Sequence, residues 1–230
     1  MITARAVAKS YLGVEVLHDV DLHVPAGSFA LLTGPSGSGK TTLLNLLAAL
    51  DAPDGGSIRV DDTEVTALRG RQRARHRARH GHVFQRSGLL AGLTLRENIE
   101  AAHLLAGHPV DLEWVDHLAE RLGVRALLDV TASRVSGGQG QRAALIRSLA
   151  HRPPLLFADE PTASLDTASK HTIHEVLREV VANEGTTVLM VSHDAISLDY
   201  ATDVTRLVDG GVESDAEATG EAESSRREAP

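Results

Sequence analysis

Phe29-Ala30-Leu31-Leu32-Thr33 runs directly into Gly34-Pro35-Ser36-Gly37-Ser38-Gly39-Lys40-Thr41-Thr42, and a helical apolar pattern follows as far as Leu50. Strand, glycine-rich loop and helix in that order make a phosphate cradle. Glycines let the backbone wrap a phosphate chain closely, and the N–H groups at the start of the helix then point inward at it. The spacing fits GxxxxGK[ST], in which the lysine, here Lys40, reaches the terminal phosphates and the hydroxyl of Thr41 ligates Mg²⁺. A capped glycine-serine turn would need no lysine at that place, and lysine is scarce in this chain: three residues against twenty arginines.

Working outward, the same alternation repeats. Ser28 to Thr33, Val83 to Gln85, Pro154 to Ala158 and Thr187 to Ser192 read as strands. Thr41 to Leu50, Gly137 to Ala150 and Ala168 to Asn183 carry apolar residues at helical spacing. The expected class is an α/β sheet covered by helices. The first 30 residues and Ile58 to Val65 read instead as antiparallel strands, with turns at Gly13, Pro25-Ala26-Gly27 and Pro53-Asp54-Gly55-Gly56. Leu89 to Ser133 reads as a mostly helical insert.

Two further constellations bear chemistry. Leu155-Leu156-Phe157-Ala158 runs into Asp159-Glu160, placing two carboxylates at the carboxyl end of a buried strand, where open α/β sheets bind ligands. One can hold Mg²⁺ through its hydration shell and the other can polarise a water for attack on a phosphate; alone, such a pair is more often a helix cap, and the Lys40 loop beside it reverses that reading. Val135-Ser136-Gly137-Gly138-Gln139-Gly140-Gln141-Arg142 opens another helix, with Ser136 as N-cap and two glycines that admit an anion. A second cradle on one chain makes sense if it serves another subunit's nucleotide.

Composition bounds the rest. The 230 residues are 42% hydrophobic, enough for a sizeable core, and the absence of cysteine excludes disulfide scaffolds, thiolate metal sites and cysteine nucleophiles. A formal charge of -8 with 3% aromatics argues against nucleic acid as a partner. No apolar run approaches the ~20 residues that span a bilayer, and the N-terminal stretch lacks a signal-like apolar segment, so the expected location is cytoplasmic. Arginine takes six of the eleven positions from Arg69 to Arg79. That run is expected to spread around a helix as a solvated basic surface, or to meet anionic lipid head groups or acidic permease loops. His76, His80 and His82 invite a metal reading, but no carboxylate lies near them and they are expected at the surface. From Glu213 onward the chain is acidic and without apolar periodicity, which predicts a disordered tail over 213–230.

Taken together, these residues resemble the nucleotide-binding subunits of ATP-binding cassette (ABC) transporters across about residues 1–212. The expected fold is the P-loop ABC ATPase fold: a RecA-like core, an antiparallel β subdomain and a helical subdomain at about 89–140. Gly34 to Thr41 looks like the Walker A loop, Gln85 like the Q-loop glutamine, and Ser136-Gly137-Gly138-Gln139 like the signature motif. Leu155 to Asp159 looks like Walker B, with Glu160 as the catalytic carboxylate. Ser164-Leu165-Asp166 matches the D-loop, His193 in Val191-Ser192-His193-Asp194 the switch histidine, and Tyr11 the aromatic that stacks on adenine.

The resemblance implies ATP and Mg²⁺ as cofactors. The metal would be held by Thr41, Gln85 and Asp159, and a head-to-tail homodimer would bury ATP between the Lys40 loop of one copy and the Ser136 helix of the other. It also implies integral-membrane permease subunits as partners, and a position peripheral to the inner face of the cell membrane. Within the family, the chain looks like the branch that serves macrolide-export, lipoprotein-release and cell-division type permeases, departing from its usual pattern at Val135, Gly140 and Ala163-Ser164. The alternative is a soluble ABC ATPase acting in DNA repair, translation or cofactor assembly. A module that binds ATP without hydrolysing it is opposed by the joint presence of Glu160 and His193.

Overall fold

The computed structural model describes residues 1–107 and 110–213. The expected tail, apart from Glu213, lies outside the described residues.

Two sheets organise the chain. The first is antiparallel, built from β1 (Ile2–Tyr11), β2 (Val14–Val24), β4 (Gly55–Val60) and β5 (Thr63–Glu64) in the order β2-β1-β4-β5. The second has six strands in the order β10-β9-β3-β8-β7-β6. These are β3 (Phe29–Thr33), β6 (Gly81–Val83), β7 (Leu155–Asp159), β8 (Thr187–Val191), β9 (Asp203–Val208) and β10 (Gly211–Val212). All its pairings are parallel except β10 with β9. The ladder closes one residue beyond β10, where the Glu213 N–H donates to the Arg206 carbonyl at 2.9 Å.

Side-chain alternation explains why the central strands read as unbroken apolar runs. Phe29, Leu31, Leu156, Ala158, Val188 and Met190 enter one core, and Ala30, Leu32, Leu155, Phe157, Leu189 and Val191 enter the other. Both faces are covered, as a parallel sheet demands. The first core is roofed by α3 (Leu95–Ala106), α4 (Leu112–Arg121), α5 (Gly137–Leu149) and α6 (Thr167–Glu184). The second is closed by α1 (Lys40–Leu47) and the antiparallel sheet. α2 (Gly70–Ala78) carries the arginine run, and the short α7 (Ala195–Leu198) follows β8.

Some boundaries differ from the sequence reading. α1 stops at Leu47 rather than Leu50 because Ala49 takes φ +56°, outside helical space. β6 stops at Val83, leaving Gln85 in the loop beyond it. β9 and β10 lie outside the strands read from the sequence, because polar residues break up their apolar ones, Val204, Leu207, Val208 and Val212.

The histidines expected at the surface are largely interior. His76 and His80 are buried and His82 is half-buried: His80 and His82 pack on Phe157, and His76, from α2, packs edge-on against His80. A neutral imidazole packs there as a small aromatic ring. No group of three or more His, Asp or Glu side chains among the described residues is placed to hold a metal ion. No helix among them is long and apolar enough to cross a membrane.

Candidate functional site

Because β3, β8, β7 and β6 are adjacent and parallel, their carboxyl ends share one edge of the sheet. The loops leaving those ends carry the Lys40 cradle, His193, Glu160 and Gln85. They surround a cleft of about 670 Å³ lined by the cradle residues, Gln85, Glu160 and His193.

The cradle holds its shape by close approach. A Cβ on Gly34, whose φ is +140°, would sit 2.0 Å from the Leu207 carbonyl oxygen; one on Gly39, φ +99°, would meet the Leu17 side chain at 2.7 Å. Only glycine permits either position. Lys40 is buried and folded back on the loop, its Nζ donating to the carbonyls of Pro35 at 2.6 Å and Gly34 at 3.0 Å. Its hydrogen-bond partners are carbonyls and the Ser38 hydroxyl rather than a carboxylate, partners that phosphate oxygens can replace. An open cleft, an amide-rich loop that a Cβ would fill and a buried cation fit a phosphate chain.

Next to the cradle, the Thr41 hydroxyl donates to Asp159 Oδ1 at 3.2 Å. Burial raises the Asp159 carboxyl above its usual range, the Thr41 bond opposes that, and the neighbouring Glu160 charge adds to it. A hydroxyl and a carboxylate side by side at a strand end are a hard-oxygen pair suited to Mg²⁺. Glu160 follows with φ +47°, a strained turn for a side chain of its size, and its N–H donates to the Val191 carbonyl at 3.0 Å. That turn aims the carboxylate along the sheet edge, where Oε1 accepts from His193 Nδ1 at 2.6 Å. The His193 side chain is 70% exposed and the Glu160 side chain 14% exposed. A partly shielded carboxylate and an open imidazole thus face the same cleft.

The remaining predicted residues stand apart from it. Ser136 caps α5, accepting from the Gln139 N–H at 3.2 Å while its own N–H donates to Gln139 Oε1 at 2.9 Å. Gly137 lines a second cavity of about 300 Å³ together with Gln85 and Glu160. Ser136, Gly138 and Gln139 do not border the cradle cleft of their own chain. Asp166 caps α6, accepting from the Ser169 N–H at 2.9 Å. Tyr11 is 43% exposed beside the cleft rather than in its wall. Its hydroxyl donates to Asp51 Oδ2 at 2.7 Å, the Lys9 ammonium lies 5.0 Å from its ring, and its pKa is pushed up to about 12, chiefly by the Asp51 bond.

Sequence reading missed Val16, which lines the cleft from β2, and Gln141. The Gln141 amide donates to the Phe84 carbonyl at 2.8 Å, fastening α5 to the segment that bears Gln85. A polar residue on an otherwise apolar inner face, with Ala143 and Ala144 following, was the available signal; a half-buried valine in a hairpin offers none.

Comparison with known proteins agrees with this geometry. Residues 17–163 match the ABC transporter family. Over 204 residues the chain is 44% identical to "Lipoprotein-releasing system ATP-binding protein LolD" of Anaeromyxobacter dehalogenans, covering 87% of this chain and 85% of that protein. It is 37% identical to "Bacitracin export ATP-binding protein BceA" of Halalkalibacterium halodurans, covering 86% and 79%. All of this chain aligns at 38% identity with a third of "Macrolide export ATP-binding/permease protein MacB" of Syntrophobacter fumaroxidans. Among solved structures, the ATP-binding cassette MJ0796 in a dimeric post-hydrolysis state bound to ADP and Pi superposes with a TM-score of 0.84 at 32% identity, covering 93% of this chain and 97% of that one. With the phosphate cradle, the strand-end carboxylates and the histidine assembled on one edge, this chain belongs to the ABC transporter family, as one of its ATP-hydrolysing cassettes.

Proposed function

We propose that this cassette powers an integral-membrane permease of the export or envelope-acting kind, working as a homodimer on the cytoplasmic face of the membrane. The observation that carries the reading is the Glu160–His193 contact at 2.6 Å, at the mouth of the Lys40 cradle. The names of the relatives, a lipoprotein-releasing system, a bacitracin exporter and a macrolide exporter, favour that kind of permease over a soluble assembly.

In this reading the cradle amides and Lys40 bind the phosphates of ATP, Lys40 exchanging its carbonyl partners for phosphate oxygens. Thr41, Asp159 and Gln85 would hold Mg²⁺, which when bound supplies charge neutralisation at the terminal phosphates. Glu160 accepts the proton of an attacking water and His193 holds the γ-phosphate oxygens as charge develops. Tyr11 offers its ring to the adenine. Ser136, Gly137, Gly138 and Gln139 close over the nucleotide of the partner copy, with Asp166 beside them, consistent with their standing outside their own chain's cleft. ATP closes the pair and hydrolysis reopens it, a cycle that Gln85 passes to the permease.

The test is affinity purification of tagged Glu160→Gln from detergent-solubilised native membranes with ATP present, read by mass spectrometry and light scattering. A dimer that retains ATP and co-elutes with a stoichiometric polytopic protein is expected. A variant that stays monomeric with ATP would refute the shared-nucleotide dimer; one recovered with ribosomes, DNA or an assembly factor would replace the permease with a soluble partner.

A further inference from the structure

His193 carries one hydrogen bond, to Glu160, and its ring is otherwise open. Something else must fix the backbone that presents it. The residues on either side of it supply the answer, and both are tied to one helix, α6.

On the far side, Asp194 is paired with Lys170 of α6, and its other oxygen accepts from the Ile196 N–H at 3.1 Å. The Lys170 bond is also the chief reason the Asp194 carboxyl titrates below its usual range. On the near side, buried Ser192 accepts from the Asp194 N–H at 3.0 Å and lies 3.0 Å from the hydroxyl of buried Ser197. Ser197 in turn lies 3.0 Å from Nε2 of His174, one turn beyond Lys170 on α6.

The direction of this chain follows from its far end. His174 is fully buried, and burial lowers its pKa, so the ring is neutral. Its Nδ1 is 2.7 Å from the Lys170 carbonyl, which can only accept, so Nδ1 carries the proton and Nε2 is a bare acceptor. Ser197 therefore donates to His174, and Ser192 donates to Ser197. Each hydroxyl gives one bond and takes one, a fully satisfied buried relay. The imidazole itself is packed between Phe29, with centroids 6.3 Å apart, and Tyr200, at 4.9 Å.

We infer that Lys170 and His174 are positioning residues for ATP hydrolysis, holding Ser192–Asp194 to α6 so that His193 stays poised at Glu160 and the cleft. α6 is capped at its start by Asp166. One rigid helix thus joins the dimer-facing D-loop to the histidine, and a shift of either is felt at the other. The inference rests on the reading of His193 as the group that meets the γ-phosphate. Neither Lys170 nor His174 borders the cleft, so both act through His193 rather than on ATP.

The experiment is a double-mutant cycle in steady-state ATPase assays of the full chain. His193→Ala alone is expected to abolish most of kcat. Lys170→Met and Ser197→Ala are each expected to lower kcat about tenfold with KM for ATP unchanged, because binding rests on the cradle. Lys170→Arg, which keeps the ion pair, should recover to within about twofold of the parent. In the His193→Ala background, Lys170→Met should cost nothing further, a result that a merely structural role would not produce. Thermal unfolding of each variant separates lost folding from lost positioning, and Ser197→Ala, which removes a single oxygen, stands in should Lys170→Met fail to fold. Full additivity of Lys170→Met with His193→Ala, or a rise in KM at constant kcat, would overturn the inference and leave the site reading intact. A fully active His193→Ala would overturn both.

Discussion

Of the three lysines of this chain, two make ion pairs and one, Lys40, sits where an arginine would not serve. Lys9 lies over the Tyr11 ring and pairs with Asp51 and Asp54, and Lys170 pairs with Asp194. Lys40 threads a loop whose carbonyls lie 2.6 and 3.0 Å from its nitrogen, a space for a compact point charge rather than a planar fork. Lys40→Ala is therefore expected to abolish ATP binding, and Lys40→Arg to weaken it by more than about tenfold, because the guanidinium would have to push the loop apart. Titration with a fluorescent ATP analogue measures both. Wild-type affinity in Lys40→Ala would remove the cradle from the site.

At the scale of elements, the arginine run shows what alternation does on a helix. Every second residue turns by about 200°, so the six arginines fall into two opposed rows rather than scattering evenly. One row faces the protein: Arg73 donates to the Asp51 carbonyl and Arg77 to the Ala49 carbonyl at 3.1 Å, both just beyond the end of α1, while Arg69 donates to the Thr66 and Leu68 carbonyls. Helix ends leave carbonyls without partners, and guanidinium groups meet that need. The other row, Arg71, Arg75 and Arg79, is exposed and has no partner among the described residues. Any contact of the run with lipid or permease falls to that row. Arg73→Ala and Arg77→Ala should each lower stability by about 1–2 kcal/mol, whereas Arg71→Gln and Arg75→Gln should stay within about 0.5 kcal/mol; urea unfolding distinguishes them.

This pattern also marks the limit of what the sequence disclosed. The central strands, the cradle, Asp159-Glu160 and the cap Ser136 were legible because each depends on local chemistry: apolar runs, glycine φ, a capping hydroxyl. What Arg73 and Arg77 bind, that Gln141 reaches Phe84, and that His76 and His80 are interior depend on which elements pack together, and a run of mean composition as polar as that of α2 hides its inner face.

For the molecule as a whole, those histidines make stability depend on acid. Burial pushes His80 down to about 3 and His82 down to about 4, and it also lowers His76 and His174. Arg77 and Arg79 lie beside the first three, while His103, His151 and Arg147 line the same cavity of about 280 Å³, so another positive charge there is doubly disfavoured. The folded state keeps these rings neutral, whereas an unfolded chain protonates them below about pH 6.5. The unfolded state then binds more protons, so stability is full above pH 6.5 and falls as pH drops toward 4, by at most ~1.4 kcal/mol per pH unit for each such ring. The depressed carboxyls Asp51, Asp166 and Asp194 lose their contribution only below about pH 4, and the raised Asp159 acts weakly in the opposite sense. Urea midpoints between pH 7.5 and 5 should therefore decline, and His80→Leu should flatten that slope by about one proton. An unchanged slope would mean that His80 does not stay neutral in the fold. The loss should begin locally. His82 lies in the edge strand β6, two residues before Phe84, whereas the cradle hangs from β3 in the middle of the sheet. At pH 5, amide exchange over residues 80–88 should rise ahead of that over residues 29–41, so that acid releases the Gln85 arm while the phosphate cradle still stands.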